Sequence, residues 1–368
     1  MGSHAAPSRQ FRGERDWNGR CILSFTMQGE TVVITGAGAG VGRAIADEFA
    51  KNGANIGLIA RNRDRLETAK RFVEECGGKA VAAPCDVADP EQVENAAAQI
   101  ESALGPIDVW VNCAMVTIFA PFTEIKPEEF RRSTEVTYLG FVWGTMAALK
   151  RMKPRNKGSI VQMGSALAYR SIPLQSPYCG AKHAIVGFTD SLRCELIHDR
   201  SNVHLTVVHL PAVNTPQFSW CRTRLPRHPA PVGTIYEPEV PARAVYWAAH
   251  HKRREVFVGF PTVKAIYGQE VAPGYADHYL GSIGFDAQQT EQPVEPGRPD
   301  NMFDTVPGPY GARGIFTEKA KSWSAQNWAN LHRGVLAGVA AGAAAFAVGL
   351  TRKRASAGLT DHAAQRSV

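Results

Sequence analysis

Several features that would narrow the function at once are scarce in this sequence of 368 residues. The seven cysteines form an odd, scattered set with no C-x-x-C pair, which argues against a disulfide framework and a zinc ribbon, so we predict reduced thiols and no metal site. The first 26 residues contain no apolar run, so no signal peptide is indicated, and we interpret them as a disordered arm of a cytoplasmic protein, a tag remnant or a mis-set start. The net charge is only +7 and is not gathered into one block, which predicts no nucleic-acid partner and a bias toward anionic ligands or membrane surfaces.

Between residues 27 and 262, short apolar segments alternate with amphipathic ones. β-branched runs such as TVVIT predict buried strands, and the stretches between the runs have the length of helices. Strands separated by helices pair in parallel through right-handed crossovers, so we expect a doubly wound α/β domain of the Rossmann type. The predicted strands are Thr31–Thr35, Asn55–Ala60, Ala80–Cys85, Ile107–Asn112, Ser159–Met163, Val203–His209 and Glu255–Gly259, and the predicted helices are 42–52, 64–76, 90–104, 130–152 and 176–198.

A glycine-rich turn, TGAGAGVG, follows the first predicted strand. Glycine in this position lets the backbone approach a pyrophosphate, and the N-terminus of the next helix supplies free N–H groups. Small residues also occur in tight turns that bind nothing, but the setting between a strand and a helix favours a dinucleotide site. The candidate cofactor residues of this turn are Thr35, Gly36, Gly38, Gly40, Val41 and Gly42.

The second predicted strand ends at Ala60 and Arg61, where an NAD-preferring site usually has an acid for the ribose 2′-hydroxyl. A guanidinium suits a 2′-phosphate instead, so we predict that the cofactor is NADP(H). The alternative is that Arg61 belongs to an exposed basic turn with no ligand.

Three further residues form a candidate catalytic set. Tyr178 and Lys182 are four residues apart and share one face of a predicted helix, where the lysine ammonium would favour the phenolate and lower the pKa of the tyrosine. Tyr178 then becomes a plausible acid or base near neutral pH. Ser165 ends a predicted strand, and its hydroxyl could hold a substrate carbonyl oxygen. A Y-x-x-x-K pair also occurs by chance, so it is the combination with the glycine turn that is specific.

Together these motifs resemble the classical short-chain dehydrogenase/reductase family, in particular a bacterial-type subgroup with a C-terminal extension. The similarity covers about residues 27–262 and includes Ser165, thirteen residues before Tyr178. The resemblance implies that Lys182 also holds the nicotinamide ribose and that Thr215 faces the nicotinamide carboxamide. It further implies an adenine contact at Asp86, with Val87, Asn112, Ala114, Pro211 and Val213 completing the cofactor site.

The sequence departs from the family pattern at three places. The family's N-N-A-G ends here in Met115, which crowds the cleft where a glycine would stand, and the proline–glycine pair after the last core strand reads Pro211-Ala212. The catalytic asparagine, which anchors a water in a proton relay to the lysine, is replaced by Thr137. Because Thr137 retains a hydroxyl, we expect slower turnover through an altered relay and an intact fold.

The stretch 216–236 should form the substrate loop. It combines apolar residues with Arg222, Arg224 and Arg227, which favours a lipophilic carbonyl or alcohol, with room for an anionic group at a basic edge. The alternative is a mobile loop whose apolar residues merely cover the cleft.

The C-terminal third divides into a loop-rich extension at 263–330, an apolar helix at 331–351 and a basic tail at 352–368. Residues 334–351 contain no charge, and Gly334, Gly338 and Gly342 repeat at the spacing that lets helices approach closely in a bilayer. We therefore expect membrane association, on the cytoplasmic face, although an Ala- and Gly-rich helix can also pack on its own domain.

We thus predict an NADP(H)-dependent oxidoreductase that interconverts a lipophilic alcohol and its ketone or aldehyde, both of them small molecules. The family resemblance implies a homodimer or homotetramer, in which Trp143, Ala147 and Ala148 could make the contact or pack inside one subunit. Two rivals stay open: a catalytically weakened NADP-binding sensor or scaffold, favoured by Thr137 and Met115, and a membrane-interaction module with a purely structural core. Nucleotide titration followed by a carbonyl panel separates the three.

Overall fold

The computed structural model describes residues 29–344 and the backbones of two short antiparallel strands, Gly13–Arg15 and Cys21–Leu23. The predicted arm at 1–26 and tail at 352–368 otherwise lie outside the described residues. Seven strands form one parallel sheet: β1 (Thr31–Thr35), β2 (Asn55–Ala60), β3 (Ala80–Pro84), β4 (Ile107–Asn112), β5 (Ser159–Ser165), β6 (His204–Leu210) and β7 (Glu255–Phe257). Their order is β3-β2-β1-β4-β5-β6-β7. The doubly wound parallel sheet that the sequence predicts is therefore confirmed.

Helices cover both faces of the sheet, and the apolar side of each helix supplies the core. Helices α1, α2 and α7 pack on one face, and α3, α5 and α6 pack on the other. Polar caps fix two of the helix starts, since Asn62 accepts a hydrogen bond from Arg65 N at 3.0 Å and Asp89 accepts one from Glu91 N at 2.9 Å. The helices are α1 (Gly40–Lys51), α2 (Arg63–Glu75), α3 (Pro90–Leu104), α4 (Pro127–Thr134), α5 (Gly140–Arg155), α6 (Ser176–His198), α7 (Glu239–His250), α8 (Phe260–Val271), α9 (Pro273–Ile283) and α10 (Ala325–Leu331).

The long helix predicted over 130–152 is broken. A π-helical turn, Glu135–Leu139, separates α4 from α5. The buried Thr137 lies in this turn, and its hydroxyl donates to Val116 O at 2.8 Å and accepts from Val116 N at 3.1 Å. The wider turn therefore places a polar side chain against the loop that follows β4. Such π-turns frequently mark functional sites.

The three residues named for a subunit contact differ in burial. Ala147 and Ala148 are buried in the same apolar cluster as Trp110, which places them inside one subunit. Trp143 is half-buried and packs against that cluster, so a subunit contact at Trp143 stays a prediction.

The extension begins with two helices, α8 and α9, that the sequence analysis did not predict, and becomes loop-dominated only beyond residue 284. Short strand pairs hold the loop after β6 against neighbouring loops. These pairs join Ala212–Val213 to Ile235–Tyr236, Arg222–Thr223 to Ile118–Phe119, and Arg227–Pro229 to Gln289–Pro293.

The chain continues past α10 as a helix over residues 333–344, whose side chains are exposed. Val335, Leu336 and Val339 are 56%, 41% and 66% exposed, so this part of the helix does not pack on the domain. Within residues 29–344, none of the helices is long and apolar enough to cross a bilayer. Residues 345–351 of the predicted apolar helix lie outside the described part of the chain.

Candidate active site

A cleft of about 410 Å³ lies over the carboxyl ends of the central strands. This is where ligands bind in open α/β sheets, and the volume falls in the usual range of small-molecule sites, about 300–1,000 Å³. The chain places Gly36, Ala60, Cys113, Ser165 and Leu210 in its lining, each at or just beyond the end of a different strand. The fold thus brings together residues that are far apart in sequence.

The glycine turn forms one wall and is packed so closely that side chains are excluded. Gly36 and Gly40 have φ of +74° and +60°. A Cβ on Gly36 would lie 2.8 Å from Ala114 Cα, and one on Gly42 would lie 2.3 Å from Gly36 O. The turn therefore presents bare backbone at the N-terminus of α1, and this cradle fits a dinucleotide pyrophosphate. Gly38 and Val41 of the same turn also line the cleft.

Two of the predicted cofactor residues lie outside the cleft lining and have structural roles. Thr35 Oγ1 accepts hydrogen bonds from the backbone N–H of Cys113 and Ala114 at 2.9 and 3.2 Å, which ties the glycine turn to the next loop. Asn112 is fully buried, contrary to the prediction that it lines the cleft. Its amide joins β4 to β5 and α5 through Trp110 Nε1, Phe141 O, Thr145 Oγ1 and Gln162 Oε1. Buried amides are expected to be satisfied in this way.

The three candidate catalytic residues meet in the floor of the cleft. Ser165 lies at the end of β5, and Tyr178 and Lys182 lie in the first two turns of α6. The Ser165 hydroxyl lies beside the Tyr178 phenol, and its Oγ accepts from Leu167 N at 3.1 Å. Lys182 is almost completely buried, and its Nζ donates to Met163 O at 2.7 Å and lies 5.5 Å from the centre of the Tyr178 ring. The sequence spacing therefore gives the expected juxtaposition.

Burial has the largest effect on the pKa values of Tyr178 and Lys182. It raises the pKa of the Tyr178 phenol, against the opposing effect of the neighbouring Ser165 hydroxyl. It lowers the pKa of the Lys182 ammonium from 10.5 to about 8, because a buried cation loses its hydration. The sequence predicts that Lys182 depresses the pKa of the tyrosine, but in this structure the tyrosine pKa moves the other way. The Tyr178 phenol therefore keeps its proton at neutral pH.

Thr137, the residue that replaces the family's asparagine, lies beside the cleft and does not line it. Its hydroxyl donates to Val116 O and accepts from Val116 N. The neighbouring Val136 lines the cleft instead. The Thr137 side chain therefore holds the loop carrying Met115, which does face the cleft. A relay role for its hydroxyl stays a prediction.

At the adenosine end, the cleft combines a carboxylate with guanidinium groups. Asp86 and Val87 line it as predicted, and the Asp86 carboxylate pairs with Arg132 at 2.5 Å. Arg61 also lines it, joined by Arg65 from the first turn of α2, which the sequence analysis missed. This cationic end fits an extra phosphate.

The opposite end is largely apolar. Thr215, predicted to face the nicotinamide, lines this part of the cleft, as do the predicted cofactor residues Pro211, Val213 and Ala114. The remaining lining includes Phe119, Ile172, Phe218, Val232 and Ala265.

The basic edge expected for the substrate loop is neutralised. Arg222 and Arg224 both bond the buried Glu129 carboxylate, at 3.0 and 2.7 Å. Arg227 pairs with Asp286 at 2.9 Å, and none of these arginines lines the cleft. The expectation of a basic edge for an anionic group is therefore wrong, because acids 59 to 95 residues away in sequence take up these charges.

A buried histidine lies directly behind the candidate catalytic serine. His209 Nδ1 lies 3.1 Å from Ser165 O, and its Nε2 lies 3.5 Å from a Glu255 carboxylate oxygen that also accepts from Tyr169 at 2.8 Å. No feature of the sequence points to this contact, since the histidine continues a largely apolar strand. The histidine braces the strand end that carries Ser165.

Known proteins resemble this chain in sequence and in fold. Residues 30–223 match the family model described as short chain dehydrogenase. An uncharacterized oxidoreductase of Bacillus subtilis, YxnA, is 30% identical over 76% of this chain and 79% of its own length. The 3-ketodihydrosphingosine reductase of Bos taurus is 34% identical over 53% of this chain, and the match spans only 60% of that reductase.

A solved structure supports the same assignment. The short chain dehydrogenase of Mycobacterium paratuberculosis, crystallised with NAD bound, superposes with a TM-score of 0.56 at 25% identity, covering 63% of this chain and 97% of the other. The family match covers more than half of the chain and includes the glycine turn and the Ser165, Tyr178 and Lys182 set. The chain therefore belongs to the short-chain dehydrogenase family.

Proposed function

We propose that this oxidoreductase interconverts a lipophilic alcohol and its ketone or aldehyde by hydride transfer with NADP(H). The meeting of Ser165, Tyr178 and Lys182 on the floor of a cleft whose wall is the bare glycine turn carries the proposal. The nicotinamide supplies or accepts the hydride when it is bound. All other steps belong to residues of this chain.

The roles follow from the contacts of each side chain. The Ser165 hydroxyl, which lines the cleft with Tyr178, holds the substrate oxygen beside the phenol. Tyr178 gives its proton to that oxygen in reduction and takes it back in oxidation, and the raised pKa of the phenol favours the protonated donor. Lys182 stabilises the phenolate formed in reduction, because its ammonium is held 5.5 Å from the ring by the bond to Met163 O. The apolar lining keeps water from competing for the proton.

The cofactor assignment rests on Arg61 and Arg65 at the adenosine end, since guanidinium groups suit a 2′-phosphate. The mycobacterial neighbour holds NAD, so the choice needs a direct test. We expect Arg61→Ala to weaken NADPH binding roughly ten- to hundredfold and to leave NADH binding nearly unchanged, as for loss of one charge-assisted hydrogen bond. Fluorescence titration of both nucleotides measures this. Arg63→Ala, at an exposed position outside the cleft, is the matched control, and equal wild-type affinity for the two nucleotides would contradict the assignment.

The substrate class follows from the lining of the cleft. Apolar side chains surround Ser165 on the substrate side, and the nearby arginines are paired with acids, so a neutral lipophilic carbonyl fits best. The similarity to the bovine 3-ketodihydrosphingosine reductase is consistent with a lipid-like ketone. An assay of NADPH consumption against ketones and aldehydes of increasing chain length tests this, and preference for short polar carbonyls would contradict it.

We also propose that the enzyme is cytoplasmic, forms a homodimer or homotetramer and associates with the membrane through residues 334–351. Supporting the membrane proposal, the described start of this segment makes no contact with the domain, and Gly334, Gly338 and Gly342 have open space around them. Exposed Met146 and Ile197 leave apolar surface on α5 and α6 for a second subunit.

Ending the chain after Arg333 should move the protein from the membrane pellet to the supernatant without loss of NADPH binding. The cut must spare α10, because Gln326 Nε2 bonds Phe257 O at 3.0 Å and anchors this helix on the domain. Carbonate-washed fractions of full-length and shortened protein give the measurement. Full-length protein that is monodisperse without detergent would contradict the membrane proposal.

A further inference from the structure

Part of the C-terminal extension runs across the adenosine end of the cleft. Asn301, Thr305 and Val306 belong to the cleft lining, although they lie about 240 residues after Arg61 in the chain. We call residues 298–311 the strap. The strap lies beyond residues 30–223, which are the residues that the family model matches.

The strap is anchored at its start by buried and ionic contacts. The Met302 side chain is fully buried, in the same apolar cluster as Val87 and Val136 of the cleft lining. Asp300 accepts from Arg222 Nε and from Met302 N, both at 2.9 Å. Anchors of this kind fix the course of the backbone that follows.

The strap turns its carbonyl groups toward the cationic residues of the cleft. Arg61 donates to Asn301 O and to Phe303 O, each at 2.6 Å. Arg65 donates to Val306 O and, at 3.3 Å, to Gly308 O. Arg132, the partner of Asp86, donates to Met302 O at 3.1 Å.

The far end of the strap reaches the glycine turn. Gly40 N donates to Gly311 O at 3.0 Å, and the Tyr310 ring packs edge-on against Trp220 with centroids 4.5 Å apart. The Arg65 guanidinium lies over both rings, at 4.6 Å from Trp220 and 5.1 Å from Tyr310. The strap thus spans the cleft from the Arg61 side to the start of α1.

These contacts orient the arginines and leave donors free. A guanidinium carries five N–H groups, and the two carbonyls on Arg61 take two of them. A long side chain held in one orientation loses less entropy when it binds a phosphate. Resting on the proposed NADP(H) function, we propose that the strap is a wall of the nucleotide site that positions Arg61 and Arg65 for the 2′-phosphate. Residues 298–311 then set the preference for NADPH over NADH, and Met302 and Tyr310 are positioning residues.

The test removes side chains that anchor the strap and leaves Arg61 and Arg65 unchanged. Met302→Ala removes the buried anchor, and Tyr310→Ala removes a half-buried ring from Trp220 and leaves the core intact. Pro309→Ala, an exposed strap position, is the control. We expect the first two variants to raise the Kd for NADPH about tenfold, the Kd for NADH by less than about threefold, and the control to change neither.

A second readout is independent of the variants' own stability. Hydrogen exchange of residues 298–311 in the wild-type full chain should slow when NADPH is added and slow less with NADH. Tyr310→Ala protein that binds NADPH as tightly as wild type, or more tightly, would overturn the proposal, the latter result meaning that the strap competes with the nucleotide. Wild-type protein is titrated first. If it binds neither nucleotide, the proposed function itself is wrong. If wild type prefers NADPH and both strap variants keep that preference, only the role proposed for the strap is wrong.

Discussion

Tyr178→Phe should reduce turnover by about 10²–10⁴-fold while NADPH binding survives. The substitution removes the proton donor and keeps the ring, and general acid–base catalysis typically contributes a factor of this size. Ser165 stays in place beside the ring, so the substrate oxygen loses its proton source and keeps one hydroxyl partner. Steady-state turnover on a working carbonyl, with NADPH affinity measured separately, gives the result.

Tyr246→Phe is the matched control for this experiment. Tyr246 is a partly buried tyrosine on α7, where it packs edge-on against Phe49 with ring centroids 5.1 Å apart, and it does not line the cleft. The control should keep turnover near the wild-type value. If Tyr178→Phe keeps more than about a tenth of wild-type turnover, the acid–base role assigned to Tyr178 is wrong.

Lys182→Met should abolish most of the activity and at the same time stabilise the folded protein at pH 7. Burial lowers the pKa of Lys182 to about 8 from 10.5, so the folded state binds this proton less tightly than the unfolded state. One pKa unit corresponds to about 1.4 kcal/mol, and the lost bond to Met163 O offsets part of the gain, so we expect stabilisation on the order of 2 kcal/mol. A buried charged side chain that lowers the free energy of unfolding by this amount is typical of an active site.

The sign of the pH dependence distinguishes this effect from a change in packing. Below pH 8, Lys182 is charged in both states and the full cost of burying the charge is present. As the pH rises from about 8 to 10.5, the folded lysine is already neutral and the unfolded lysine loses its proton, so the cost disappears. The stability advantage of Lys182→Met over wild type in urea unfolding should therefore shrink steadily between pH 8 and 10.5. Lys150→Met, at a side chain 67% exposed, should show no such change, and a constant difference for Lys182→Met across this range would contradict the account.

The local parts of this fold were predictable because their signals are local. Each predicted strand is present with its ends within two residues, since runs such as TVVIT are buried along their whole length. The four-residue spacing of Tyr178 and Lys182 requires only that the segment be helical, which Ser176–His198 is. The glycine turn was likewise readable from its place between a strand and a helix.

The predictions that were wrong or missing concern residues whose partners are distant in sequence. Asn112 is buried because Thr145 and Gln162, 33 and 50 residues away, take its amide. Arg224 is neutralised by Glu129 on α4. The strap's contacts with Arg61 span 242 and 240 residues and use backbone carbonyls, which every residue type carries, so the side chains give no signal of them.

The central claim is that this cleft transfers hydride between NADP(H) and a lipophilic carbonyl. The most direct measurement incubates purified full-length protein with NADPH and a series of ketones and aldehydes and follows both NADPH loss and the alcohol formed by mass spectrometry. The account predicts stoichiometric alcohol formation that is fastest with long apolar chains and is lost in Tyr178→Phe. Tight NADPH binding with no alcohol formed from any carbonyl, and no NADPH formed from NADP and the corresponding alcohols, would contradict it and leave a nucleotide-binding sensor or scaffold as the function.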